Sequence, residues 1–236
     1  TGHGRVDFIV GNLGLNTRFQ ASAAEPVTMY VKDFAGSGAS DQIVSVYNHG
    51  TSYPIAMRDE LVRAIPSLKS RFPRYEDYAR QTVADIFPPD ELRGAILKQA
   101  RTFASALARN NGDGSFTLIP LPREAQLAPV YGIMAGDFDG DGKTDLLLAG
   151  NFDGVQPEIG RMSASYGLLL RGDGTGRFTP VPTTESGFLV RGQARDIQRV
   201  RTRRGDLYVV TRNNDRPLVF RATKPRRSSA VAAALR

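Results

Sequence analysis

The chain has 236 residues, of which 41% are hydrophobic and 23% charged, and carries a formal net charge of +7. This composition fits a globular protein rather than a disordered one, and no apolar run approaches the roughly 20 residues that a membrane-spanning helix needs. Cysteine is absent, which excludes disulfides, thiolate metal sites and cysteine nucleophiles.

The chain opens at Thr1-Gly2-His3-Gly4, without an initiator Met or a signal-like apolar segment, and reads as cut or processed. Residues 5–14, RVDFIVGNLG, then place Asp7 before a short apolar run that ends in Gly11-Asn12. Residues 30–44, YVKDFAGSGASDQIV, set Asp33 and Asp41 around a turn rich in Gly36 and Gly38, with strand-like runs on both sides. Residues 1–56 are therefore expected to be strands that start partway through a unit.

Over 57–108 the period changes. Tyr75, Tyr78, Ala79, Thr82, Val83 and Ile86 recur at helical spacing, and Phe87-Pro88-Pro89-Asp90 breaks the chain. Leu92, Ala95, Ile96, Gln99, Ala100, Phe103 and Leu107 form a second stripe of the same kind. The pattern predicts a helical insertion over 57–108, a pair of helices packed against a sheet.

Strand signals return from 109 to 222. RNNGDGSF at 109–116 aligns with RGDGTGRF at 171–178, each following an apolar stretch and ending in Phe, as hairpins with Gly-Asp turns do. Between them, residues 136–152 read GDFDGDGKTDLLLAGNF. Asp137, Asp139, Asp141 and Asp145 occupy relative positions 1, 3, 5 and 9, and Lys143 at position 7 can offer its backbone carbonyl. Calcium takes about 6 to 8 oxygens at roughly 2.3 to 2.6 Å, and a short loop converges that many only by alternating its ligands. An EF-hand would continue to Glu at position 12, where this chain has Leu148 inside an apolar strand-like run.

Laid against this stretch without a gap, residues 30–44 match Asp33 with Asp137 and Asp41 with Asp145, while Ala35 and Ser37 replace the middle carboxylates. A loop of Asp33, Ser37 and Asp41 keeps the turn and is a weak second metal site at most. A third echo, Asp196 to Asp206, has its aspartates ten apart and predicts a strand pair without calcium. The opening RVDFIVGNLG matches the end of the unit, with Asp7 standing where Asp145 stands.

The loop DxDxDGxxD running directly into a strand resembles the FG-GAP or VCBS repeat family, the calcium-loop repeat of integrin-type β-propellers. The resemblance implies a mainly β fold, four-stranded blades of about 60 residues, bound calcium, and an extracellular or cell-surface setting. The 62 residues from Phe116 to Phe178 agree with that period. With the insertion subtracted, about three blades remain, fewer than the 4 to 8 with which propellers close, so the chain is expected to be the C-terminal part of a larger propeller, with further blades of the parent as partners.

Catalysis has no visible seat. His3 and His49 lack the neighbours of a nucleophile elbow or a zincin helix, and a non-enzymatic interaction or adhesion scaffold for a protein or glycan is expected. The alternative is a carbohydrate-active enzyme on a propeller, with Asp153, Glu158 and Glu185 as carboxylate candidates. The polar loop carrying Asn151, Asp153, Glu158 and Arg161 is longer than a blade turn needs and is the candidate ligand contact. Arg199, Arg201, Arg203 and Arg204 lack the interleaved aromatics of a nucleic-acid groove, and 223–236 reads as a basic, disordered tail.

Overall fold

A computed structural model describes residues 4–156 and 159–222. The basic tail lies outside the described residues. Strands dominate and the sheets are all antiparallel, as the sequence predicts, but the chain divides differently. One compact unit is Thr17–Phe103, and the other combines the segments before and after it.

The discontinuous unit has three sheets. The first is β1 (Phe8–Val10), β6 (Ala106–Asn110) and β7 (Phe116–Pro120), in that spatial order. The second is β8 (Val130–Gly136), β9 (Asp145–Gly150), β10 (Leu168–Gly172) and β11 (Phe178–Val181), in the order β11-β10-β9-β8. The third is the meander β12 (Ala194–Thr202), β13 (Gly205–Arg212) and β14 (Asp215–Arg221). A 3₁₀ turn at Arg123–Gln126 precedes the second sheet, and a helical turn, Thr183–Ser186, follows it.

The run Asp145–Gly150 explains how these sheets stack. All six of its residues are buried. Side chains alternate across a strand, so a continuous apolar run needs a partner on each face. Leu146 and Leu148 pack with Leu121, Ala125 and Leu170, against Ile9 of β1. Leu147 and Ala149 pack with Val190, Ile197, Tyr208 and Val210 on the opposite side. Each leucine taken out of water contributes about 1.5 to 3 kcal/mol, so this strand is the main anchor of the unit.

The first sheet repeats the second in register. Phe8 pairs with Ala108, Ile9 with Leu107 and Val10 with Ala106. Leu146 pairs with Leu170, Leu147 with Leu169 and Leu148 with Leu168 in the same relation to the preceding aspartate. The aligned hairpins also agree: Phe116 faces Asn110 and Phe178 faces Gly172. β1 is thus the counterpart of β9, as the match of RVDFIVGNLG predicts, and Thr17–Phe103 is inserted between β1 and β6.

The inserted unit has its own sheet, β4-β3-β2-β5, made of β2 (Val27–Lys32), β3 (Asp41–Asn48), β4 (Thr51–Pro54) and β5 (Ile96–Ala100). Five short helices join β4 to β5: α1 (Arg58–Ala64), α2 (Leu68–Arg71), α3 (Tyr75–Tyr78), α4 (Val83–Ile86) and α5 (Pro89–Leu92). Ile43, Leu61, Ile65, Leu68, Val83, Ile86 and Phe87 form its core. The stripe over 75–86 is helical but in two pieces, because Thr82 starts a new helix: its hydroxyl accepts the N–H of Asp85 and its own N–H reaches the Asp85 carboxylate.

The second stripe, 92–107, is not a helix. Gly94 turns the chain with φ +79°, and Ile96–Ala100 pairs along β2 from Val31 to Val27. A full strand of interstrand hydrogen bonds outweighs a weak local helical preference. Leu107 lies in β6 of the other unit, so residues spaced as one helix face serve two separate cores.

Candidate metal centre

The loop between β8 and β9 is shaped by its own carboxylates. Gly140 and Gly142 have φ of +83° and +84°, left-handed values that only glycine adopts without strain. Asp137 Oδ1 accepts the N–H groups of Gly140 and Asp141 at 2.7 and 3.1 Å, and its Oδ2 accepts that of Gly142 at 3.0 Å. Asp145, 1% exposed, accepts Phe138 N–H at 3.0 Å through Oδ2 and Gly172 N–H at 2.9 Å through Oδ1. One buried carboxylate therefore ties the loop to the neighbouring hairpin.

Asp137, Asp139 and Asp145 converge, with one carboxylate oxygen from each lying within 4.8 Å of the others. Asp141 does not join them. Its Oδ1 accepts Lys143 N–H at 2.8 Å, and its Oδ2 lies 3.2 Å from the Lys143 ammonium. That backbone amide, followed by the lysine ammonium, holds the Asp141 carboxyl below its usual range.

The donor set fits a hard divalent cation. Three carboxylates supply only oxygen, and each ionised carboxylate has about four lone-pair directions, so the bonds to loop amides leave capacity for an ion. The negative charge also draws a protein cation. Arg171 Nε donates to Asp139 Oδ2 at 2.7 Å, and another nitrogen of the same guanidinium reaches Glu185 at 3.2 Å. These two carboxylates, Asp139 first, raise the pKa of the arginine. Arg171 lies 32 residues from Asp139, beyond any local spacing rule. The only sequence signal for it is the alignment of RGDGTGRF with RNNGDGSF.

The loop at Asp33 keeps the turn. Asp33 accepts N–H groups of Ser37 and Gly38 at 2.9 and 2.7 Å, and Asp41 Oδ2 accepts that of Phe34 at 2.9 Å, the counterpart of the bond from Phe138 to Asp145. Ser37 Oγ accepts from Ala39 N–H at 3.3 Å. Among the described residues, Asp33 and Asp41 form no group of three convergent acidic ligands. Asp196 and Asp206 lie on β12 and β13, the strand pair expected there.

The polar loop after β9 is a strut in part. Asn151, 3% exposed with φ +84°, donates to the carbonyls of Ser165 and Gly192 at 2.7 and 2.8 Å and accepts Ser165 N–H at 3.0 Å. Its side chain makes three hydrogen bonds to two other segments and presents no face to a ligand. Asp153 N–H donates to the Gln193 side chain at 3.1 Å, Arg161 is exposed, and Glu158 lies outside the described residues. Of the other carboxylate candidates, Glu185 is paired with Arg171.

The model of the FG-GAP-like repeat family matches residues 103–148, which span β6 to most of β9 and include the aspartate loop. No curated protein matches the chain. Residues 103–148 are thus similar to an FG-GAP/VCBS-type repeat, the kind of unit from which β-propeller-like repeat domains are built.

Proposed function

We propose that the chain is a calcium-stabilised, non-enzymatic repeat scaffold that presents an interaction surface for a protein or glycan outside the cell. The convergence of Asp137, Asp139 and Asp145 within 4.8 Å carries this reading. Those carboxylates sit on a loop whose shape is set by backbone amides, so the ion has a prepared seat and acts as a staple between β8, β9 and the β10–β11 hairpin. Extracellular modules bind calcium at about 10⁻⁴ to 10⁻³ M, a range that external calcium fills and resting cytosol does not.

At calcium tenfold above its dissociation constant, one site present only in the folded state adds RT ln 11, about 1.4 kcal/mol. The test is a thermal melt with calcium and with chelator. Calcium should raise the midpoint of the parent chain, and Asp139→Ala should abolish the difference. A parent chain whose melting is indifferent to chelator would overturn the calcium reading.

A further inference from the structure

The third sheet departs from the other two at the end where the second carries its aspartate loop. In sheets one and two the strand leaving that end is preceded or opened by an aspartate that accepts an amide of the next strand: Asp7 Oδ1 takes Asn110 N–H and Asp145 Oδ1 takes Gly172 N–H, both at 2.9 Å. In sheet three the aspartate of the corresponding echo, Asp206, pairs instead with Arg199 of β12 at 2.7 Å. No long loop follows β12. Strands β12 and β13, 9 and 8 residues long, run on as a ribbon joined by Arg203 and Arg204 alone.

Every residue from Gln198 to Gly205 is exposed, whereas Ile197, Tyr208 and Val210 at the other end of the pair are buried. The ribbon therefore projects past the packed half of the sheet. Over 198–206 it carries four arginines and one aspartate, a net +3. Asp206 engages Arg199, and among the described residues Arg201, Arg203 and Arg204 have no carboxylate partner. The tip is held in shape: the Thr202 hydroxyl donates to the Gly205 carbonyl at 2.5 Å and accepts Arg204 N–H at 3.2 Å, and Gly205 takes the left-handed φ of +103°. Arg199 and Arg201 share a face of β12, about 7 Å apart along the strand.

We propose that this ribbon binds a linear acidic polysaccharide, a polymer with carboxylate or sulfate groups repeated along its length. A guanidinium presents a planar fork that matches two oxygens of either group. Cations stepped along an ordered ribbon meet such a chain at several points, and the fixed turn means that little backbone ordering opposes binding. Nucleic acid fits less well. Single strands are held on exposed aromatic faces, and the aromatic residue of the ribbon, Tyr208, is 8% exposed with its ring 5.2 Å from that of Phe138. The choice of polymer rests on the extracellular-scaffold reading above, while the charge of the ribbon is independent of calcium at Asp137–Asp145.

The probes are heparin oligosaccharides, polygalacturonate oligosaccharides and neutral dextran, titrated calorimetrically into the full chain at low ionic strength. Chelator is present throughout, so a failure of the calcium reading, which the thermal melt detects, leaves this measurement untouched. Both acidic probes should bind and dextran should not. The combined variant Arg201→Gln, Arg203→Gln and Arg204→Gln should bind at least about tenfold more weakly with its melting midpoint unchanged. A variant that loses the same charge in the inserted unit, Arg63→Gln, Arg80→Gln and Arg101→Gln, should lose no more than about twofold. Four results would overturn the proposal: no binding of either acidic probe; a ribbon variant that binds as tightly as the parent; equal losses in the two variants, meaning that net charge alone acts; or a DNA duplex that binds more tightly than both polysaccharides and needs the same arginines, meaning a nucleic-acid site.

Discussion

The buried carboxylate of Asp145 accepts the backbone N–H of Gly172 at 2.9 Å, which fastens the metal-type loop to the adjacent hairpin. The same carboxylate receives Phe138 N–H from within the loop. Hydrogen bonds to a charged group contribute about 1.5 to 3 kcal/mol each, and a buried donor that loses its acceptor adds its desolvation cost. Asp145→Ala should therefore destabilise the unit by about 3 kcal/mol even in chelator. Urea unfolding checks this, and a change below 1 kcal/mol would show that the bond to Gly172 contributes little.

Arg171 occupies one carboxylate of the metal group. Its pair with Asp139 is half exposed, so it contributes no more than about 1 kcal/mol. Arg171→Gln should accordingly tighten calcium binding by up to about fivefold, since the ion no longer displaces a cation. Calorimetric titration reads this directly. Weaker binding in the variant would mean that the arginine positions Asp139 rather than competing for it.

Acid should weaken the fold through its turns. Asp33, with the amides of Gly38 and Ser37, Asp113, with the hydroxyl and amide of Ser115, and Asp173, with the hydroxyl and amide of Thr175, all have carboxyls held below their usual range. A carboxylate with a depressed folded value contributes stability above its unfolded value of about 3.9, and that contribution is lost as pH falls through the folded value. Urea midpoints should therefore drop below about pH 4, and Asp173→Asn should make the profile shallower. A parent profile flat from pH 6 to pH 3 would contradict this account.

Phe87 is 1% exposed in the core of the inserted unit, with its ring 4.5 Å from that of Phe34. Phe87→Ala leaves a cavity and should cost about 3 to 5 kcal/mol. Limited proteolysis should then cut faster between Thr17 and Phe103, and a cleavage rate equal to the parent's would show that the site collapses without loss.

The sequence alone determined what short-range chemistry can determine. The carboxylate spacing at Asp137 to Asp145, the glycines of that turn, the two Gly-Asp hairpins and the run Leu146–Leu148 each act through residues within one loop or strand, so they could be read directly. Even the role of Asp7 was legible, because a repeat copies local chemistry. Tertiary structure decided the rest. It made Ile96–Ala100 a strand because β2 offered a hydrogen-bonding edge, which a helical stripe cannot reveal. It brought Arg171 to Asp139. It also turned Asn151 inward as a strut, and it made Thr17–Phe103 a separate compact unit that the chain inserts between β1 and β6. Each of these outcomes depends on which distant segment arrives at a surface, and local spacing carries no record of that.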